Sequence, residues 1–303
     1  ESEPEPKLES EPILESEPEP KLEPEPILEP KPKSLQIHVI SLKESIKRRT
    51  EFDKLNKKYI KYKYFDAING NTLPNNIDNI LNKNASGYKK GAVGCAMSHL
   101  NLWNKCIENN KPMIIMEDDV FVSKDFNKHL QSIMDMLPEK WHILQLCYNC
   151  DSILGFSNTN FEDAYTFFTK KKFDDNDIEV FQNSEIHPTI ARLKMSFGMS
   201  CYIITPLGAN ILKQKCFPMD NRIINIPLAG QVKSYTLDII MNDIYKNIDA
   251  YVCPIPFVMP KHLHINYKST VFSSNDGDFT KKTKPNEKCP CGSGKKYKKC
   301  CRK

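Results

Sequence analysis

Short apolar runs and helix-spaced apolar positions alternate through most of the chain. Leu35-Gln36-Ile37-His38-Val39-Ile40-Ser41-Leu42 is rich in branched residues and predicts a first buried strand. Ser45 to Tyr59 predicts a basic amphipathic helix with Ile46, Phe52 and Leu55 on one side. Tyr62 to Ile68 predicts a second strand, stopped by the turn dipeptide Asn69-Gly70, and Gly91 to Asn109 a second helix. Two more apolar runs, Met113 to Met116 and Trp141 to Leu146, predict buried strands. Met199 to Thr205 predicts another, followed by a helix whose first turn carries Pro206. Tyr235 to Lys246 predicts a further amphipathic helix. Ala250 to Val258 predicts an edge strand, because Pro254 and Pro256 would break a central ladder.

This alternation predicts an α/β fold with a mainly parallel central sheet. Residues 149–190 are polar, aromatic and weakly periodic, and predict a long functional loop, an acceptor-binding insertion or a lid.

Composition divides the 303 residues unevenly. Residues 1–33 repeat a Glu-Ser-Glu-Pro unit of 14 residues, copied at 15–28 with Pro24 in place of Ser10. Dense proline and mutually repelling glutamates predict a disordered, extended tether. It carries 11 Glu against 4 Lys, a net of −7, while residues 281–303 carry 10 basic residues against Glu287, a net of +9. The middle is close to balanced, which gives no reason to expect a nucleic-acid-binding core. No run approaches the roughly 20 apolar residues of a membrane helix, and no secretory leader is visible. Seven of the 11 cysteines are scattered through apolar core segments, a pattern of buried free thiols in a reducing compartment. Cys147 and Cys150 form a lone C-x-x-C without a second pair.

Met113-Ile114-Ile115-Met116 runs directly into Glu117-Asp118-Asp119. Three carboxylates at the end of a buried strand need water, cations or a metal, since burying an unpaired one costs several kcal/mol. Hard divalent cations prefer such oxygen ligands and share them with substrate phosphates. Strand alternation, if the strand persists, sends Glu117 and Asp119 to one side and Asp118 to the other. A solvated acidic turn is the plainer alternative.

Five blocks occur in a fixed order. They are Val39-Ile40-Ser41-Leu42 with Ser45 and Arg48-Arg49; Phe65 to Gly70; Gly94-Cys95-Ala96-Met97-Ser98-His99 with Trp103; Glu117-Asp118-Asp119; and Ser196 to Ala209. The ordered set resembles glycosyltransferase family 25 across residues 35–270, a family with bacterial lipooligosaccharide galactosyltransferases and relatives that act on collagen. The resemblance implies a GT-A-like nucleotide-sugar-binding domain at 34–272. It further implies a metal-dependent, inverting hexosyltransferase of lipopolysaccharide biosynthesis, moving galactose from a UDP-sugar donor to a glycan or hydroxylated protein acceptor. Under it, Asp119 and Glu117 hold manganese or magnesium, and Asp118 serves the ribose or the sugar. His99 meets the diphosphate or the sugar, while Ser41, Arg49, Asn69 and Ser98 contact the donor. An inverting reaction needs a base for the acceptor hydroxyl. Asp238 is the preferred candidate and Asp220, in Pro218-Met219-Asp220, the competitor. His262 and His264 read either as completing a metal shell or as surface histidines in a polar tail.

Cys289-Pro290-Cys291-Gly292-Ser293-Gly294 through Cys300-Cys301 resembles the SEC-C motif. Its four thiolates suit one tetrahedral zinc ion, whose binding must supply most of the folding energy of so short a module. The expected organisation is a tether at 1–33, a transferase domain at 34–272, a linker at 273–284 and a zinc module at 285–303. The resemblance also implies protein or ribosome contacts for the tail, and a cytoplasmic location peripheral to a membrane where the acceptor is made. A different class of function is an inactive core serving as an adaptor through its tether and tail.

Overall fold

The computed structural model describes residues 35–157, 162–169, 171–227 and 230–269, with Lys296 and Lys299 besides. The expectations for the tether, the linker and Cys289, Cys291, Cys300 and Cys301 lie outside the described residues.

The first half of the chain forms β1 (Gln36–Ser41), α1 (Ile46–Asn56), β2 (Lys63–Asp66), α2 (Lys90–Asn109), β3 (Met113–Glu117), β4 (Val120–Val122) and α3 (Phe126–Met136). Next come β5 (Ile143–Cys147), β6 (Ile153–Ser157), β7 (Asp163–Phe167), α4 (Asp175–Asn183) and β8 (Ala191–Met195). The chain continues through β9 (Cys201–Ile204), α5 (Pro206–Cys216), β10 (Ile223–Ile226), β11 (Gly230–Lys233), α6 (Leu237–Met241), β12 (Ala250–Val252) and β13 (Val258–Pro260).

Nine strands form one sheet in the order β2-β1-β3-β9-β5-β12-β8-β6-β7. β2, β1 and β3 run parallel, as do β5 and β12. β9 lies antiparallel between β3 and β5, and β12, β8, β6 and β7 pair antiparallel in succession. The sheet is therefore mixed, which corrects the expectation of a mainly parallel one. β6 and β7 are neighbours in sequence with a short connection, which favours antiparallel pairing.

Alternate residues of β3 serve the two faces of the sheet. Met113 and Ile115 enter the layer under α2 and α5, with Leu102, Trp103 and Leu212. Ile114 and Met116 enter the opposite layer, with Phe52, Phe126 and Ile133. Helix α2 presses its first turns onto the loop after β2. A Cβ on Gly94 would lie 2.5 Å from the Ile68 carbonyl oxygen, and one on Gly70 2.3 Å from that of Lys90. At its far end α2 stops at Asn110, in the left-handed region (φ 46°) that asparagine tolerates.

Several expectations change. Residues 149–190 are no long loop: they supply β6, β7 and α4, and Asp174 with Asp177 closes a capping box at the start of α4. β12 is central rather than an edge, since Pro254 and Pro256 fall beyond its last residue and remove no ladder donor. The helix expected over 235–246 is only α6 and a following turn at Tyr245–Asn247. Ile46, expected on the buried side of α1, is 67% exposed. Sequence periodicity also passed over α3, although Phe126, Ile133 and Met134 form its buried stripe. The seven cysteines of the described core are free thiols, five of them buried. Among the described residues no helix is long and apolar enough to cross a membrane.

Candidate active site

The parallel register sets Ile40 beside Glu117, so β1 and β3 finish together and deliver Ser41 and the acidic triplet to one end of the sheet. Open α/β sheets bind ligands at this end of their strands. The loop after β2 and the first turns of α2 complete a cleft of about 330 Å³, whose lining includes Ser41, Arg48, Asn69, Gly91, Cys95, Ser98, Glu117, Asp118, Asp119 and Tyr267.

β3 ends at Glu117, so the triplet turns instead of alternating, and each carboxylate has its own surroundings. Asp118 accepts from the Ser41 hydroxyl at 2.6 Å and from Arg48 Nε at 2.9 Å, with Arg48 Nη2 closing a second contact. Asp119 Oδ2 accepts from the Tyr267 hydroxyl at 2.6 Å and lies 3.4 Å from Arg48 Nη2. Its other oxygen, Oδ1, is buried and has no hydrogen-bond partner. Glu117 Oε1 meets His99 Nε2 at 3.2 Å and the Cys95 thiol at 3.8 Å.

Burial, followed by the charge of Glu117, raises Asp119 from 3.8 to about 6, although Arg48 and Tyr267 oppose the rise. Glu117 goes the other way: burial works against its charge, but His99 and Arg48 outweigh it and hold the carboxyl below its usual value. Burial also works against the Arg48 charge, and Asp118 with Asp119 more than restores it. Three acidic side chains thus share one guanidinium. The orphaned Asp119 Oδ1 and the all-oxygen donors of Glu117 and Asp119 fit a hard divalent cation.

The expected site residues separate into those at the cleft and those behind it. Ser41, Asn69, Ser98, Asp118, Glu117 and Asp119 all line it. Ser98 is occupied internally, accepting from Ile68 N–H and donating to the Gly94 carbonyl, each at 2.8 Å. Asn69 bonds to Glu44 and accepts from Asn71 N–H at 2.9 Å. Arg49 does not line the cleft. It pairs with Asp66 at 2.6 Å and lies over the Tyr64 ring, so Arg48 is the arginine of the cleft. His99 is fully buried behind Glu117, with Nδ1 2.8 Å from the Tyr202 hydroxyl. It does not line the cleft, and its contact there is through Glu117.

Asp238 stands outside the lining, accepting from Gly198 N–H at 2.9 Å and from the Thr236 hydroxyl. Its charge nevertheless helps push up the Cys95 thiol, after burial and Glu117. Asp220 pairs with Arg222 at 2.7 Å and does not line the cleft. His262 and His264 pair with Asp151 and Asp175 at 3.1 and 3.0 Å and join no metal cluster among the described residues. His264 is buried, which corrects its reading as a surface residue.

Tyr267 escaped sequence reasoning. It lies 148 positions from its partner Asp119, in a stretch without periodicity. Arg48 was visible in the first block, and only the pitch of α1 decides that it, and not Arg49, faces the acids.

The structure thus places an acidic cleft at the strand ends of an α/β sheet, the end at which such sheets bind ligands. The profile of glycosyltransferase family 25 (LPS biosynthesis protein) matches residues 34–222, and that of the SEC-C motif matches residues 286–303. The chain belongs to glycosyltransferase family 25 and is a glycosyltransferase carrying a C-terminal SEC-C motif. Asp238 and Tyr267 lie beyond the matched family segment. No curated protein matches the chain. Among solved structures, A197 from STIV is similar at 12% identity and a TM-score of 0.32, covering 74% of this chain and 83% of its own. A Bacillus anthracis protein assigned as a glucose-1-phosphate thymidylyltransferase, solved with sucrose, is similar at 11% identity and a TM-score of 0.31. That match covers 71% of this chain and 65% of the other. At such scores neither likeness carries weight for the fold or the activity.

Proposed function

We propose that the chain moves a hexose, galactose above others, from a UDP-sugar to a glycan or hydroxylated acceptor, with inversion. The observation that carries this reading is Asp119 Oδ1, a buried carboxylate oxygen without a partner, set among three acids in a cleft. Asp119 and Glu117 are the residues that would hold manganese or magnesium. When bound, such an ion neutralises the negative charge that develops on the departing diphosphate.

The chain's own residues do the remaining work. Arg48 and Ser41 clamp Asp118, and Arg48 with Tyr267 fixes Asp119. His99 holds Glu117 from behind, so both proposed ligands are positioned before a donor arrives. The 20-residue helix α2 opens on the cleft at Gly91, and no side chain caps its N-terminus. Its partial positive charge suits a diphosphate. Asp238, which stands outside the cleft lining, is assigned as the base that takes the acceptor proton from the resemblance to the family. Cys289, Cys291, Cys300 and Cys301 are assigned a structural zinc ion, supported by the SEC-C match. The acidic triplet, intact and held by neighbouring side chains, speaks against an inert adaptor.

The test is a panel of nucleotide sugars with manganese and the purified chain, read as nucleotide released with and without acceptor. Release from a UDP-hexose that disappears with EDTA and with Asp119→Asn is expected. No release from any donor rejects the reading.

A further inference from the structure

Cys95 and His99 are four residues apart on α2, which places both side chains on one face of the helix. That face meets the end of β3 at Glu117. Glu117 Oε1 lies 3.8 Å from Cys95 Sγ and 3.2 Å from His99 Nε2, and one ligand atom from each residue falls within 4.8 Å of the other two. Ligands held at zinc-like bond lengths in a tetrahedron sit about 3.3–3.8 Å apart, so little movement would bring the three onto one ion. Thiolate, imidazole and carboxylate together form a softer set than the oxygens of Asp119, and suit zinc better than manganese or magnesium.

The surroundings favour a cation as well. Glu117, Asp119 and Asp238 all bear on Cys95 with negative charge. Behind the ring, Trp103 Nε1 donates to the Tyr202 hydroxyl at 2.8 Å, and that oxygen lies 2.8 Å from His99 Nδ1. Such an outer partner fixes the orientation and tautomer of a metal-bound imidazole. Cys95 and Glu117 line the cleft, which gives an ion its entry path and an open fourth position.

We infer that Cys95, His99 and Glu117 form a zinc-class metal site at the floor of the cleft, distinct from the tail cysteines and sharing Glu117 with the ligand pair proposed for manganese. On binding, the Cys95 thiol releases its proton to solvent. The imidazole hydrogen moves from Nε2, where it faces Glu117, to Nδ1, where it faces the Tyr202 oxygen, and the freed Nε2 takes the ion. Occupation would tie α2 to the end of β3 and pin Glu117.

The full chain, stripped with a chelator and dialysed against zinc chloride, is counted for bound zinc by native mass spectrometry. Wild type should hold one zinc ion more than Cys95→Ser, while Cys150→Ser should hold as many as wild type. Equal counts in wild type and a Cys95→Ser variant that melts normally would overturn the site. Should Cys95→Ser fail to fold, wild type alone decides: zinc should slow iodoacetamide alkylation of Cys95 at least fivefold, and an unchanged rate overturns the site. Neither readout needs transferase activity, so failure here is distinct from failure of the proposed donor reaction.

Discussion

Asp119 concentrates the chemistry of the cleft, because its carboxyl is raised from 3.8 to about 6 and one of its oxygens has no partner. A raised acid binds its proton more tightly folded than unfolded. Without metal, its contribution to stability is therefore fully present below about pH 4 and is lost as the pH climbs towards 6. Asp119→Asn removes that cost, and metal-free melting at pH 8 should show a variant more stable than wild type by up to about 3 kcal/mol. With manganese present the order should reverse, since only wild type gains from binding. Transferase activity should also fall on the acid side of pH 6, where protons compete with the metal for Asp119. A rate–pH profile at fixed manganese measures this directly. Arg48 and Arg49 offer a second contrast at this scale. Arg48→Ala leaves Asp118 and Asp119 without their shared cation and should cost at least tenfold in kcat/KM. Arg49→Ala, at a residue that meets Asp66 and Ser41 but none of the three acids, should cost less. The triplet was legible in the sequence because an apolar run ending in three acids is conspicuous. Tyr267 was not, because only the fold brings it to Asp119.

At the scale of elements, the parallel trio β2, β1 and β3 and the long helix α2 are what place the site, and all four were legible from short apolar runs and helical spacing. The far half of the sheet was not. The exposed β7 carries little apolar signal, and the pairing partners of β6, β7 and β8 are set by topology rather than by local pattern. β12 shows the same limit in reverse, since nearby prolines suggested an edge and say nothing about a strand that ends before them. The contact of α2 with the loop after β2 tolerates no side chain at Gly94, where a Cβ would stand 2.5 Å from the Ile68 carbonyl oxygen. Gly94→Ala should destabilise the core by about 1–3 kcal/mol and shift α2 away from the cleft. Denaturant titration gives the first number. A rise in KM for the donor larger than the fall in stability explains would report the second.

At the scale of the whole molecule, the proposed metal sites fall in two stretches of the chain. Hard carboxylates stand at the strand ends of the transferase domain, and four thiolates stand in the SEC-C motif at 286–303. Deleting residues 285–303 should remove the tail's zinc and leave most transfer to a small acceptor intact. Metal analysis and an activity assay on the same preparation check this, and loss of activity from a folded truncation would tie the tail to the active site. The central claim, a donor site built on Asp119 and its neighbours, is tested most directly by calorimetry of UDP in the presence of manganese. Wild type should bind with measurable heat that EDTA abolishes, and Asp119→Asn, shown by its melt to be folded, should lose at least tenfold in affinity. Equal, metal-independent binding by both proteins would contradict the account.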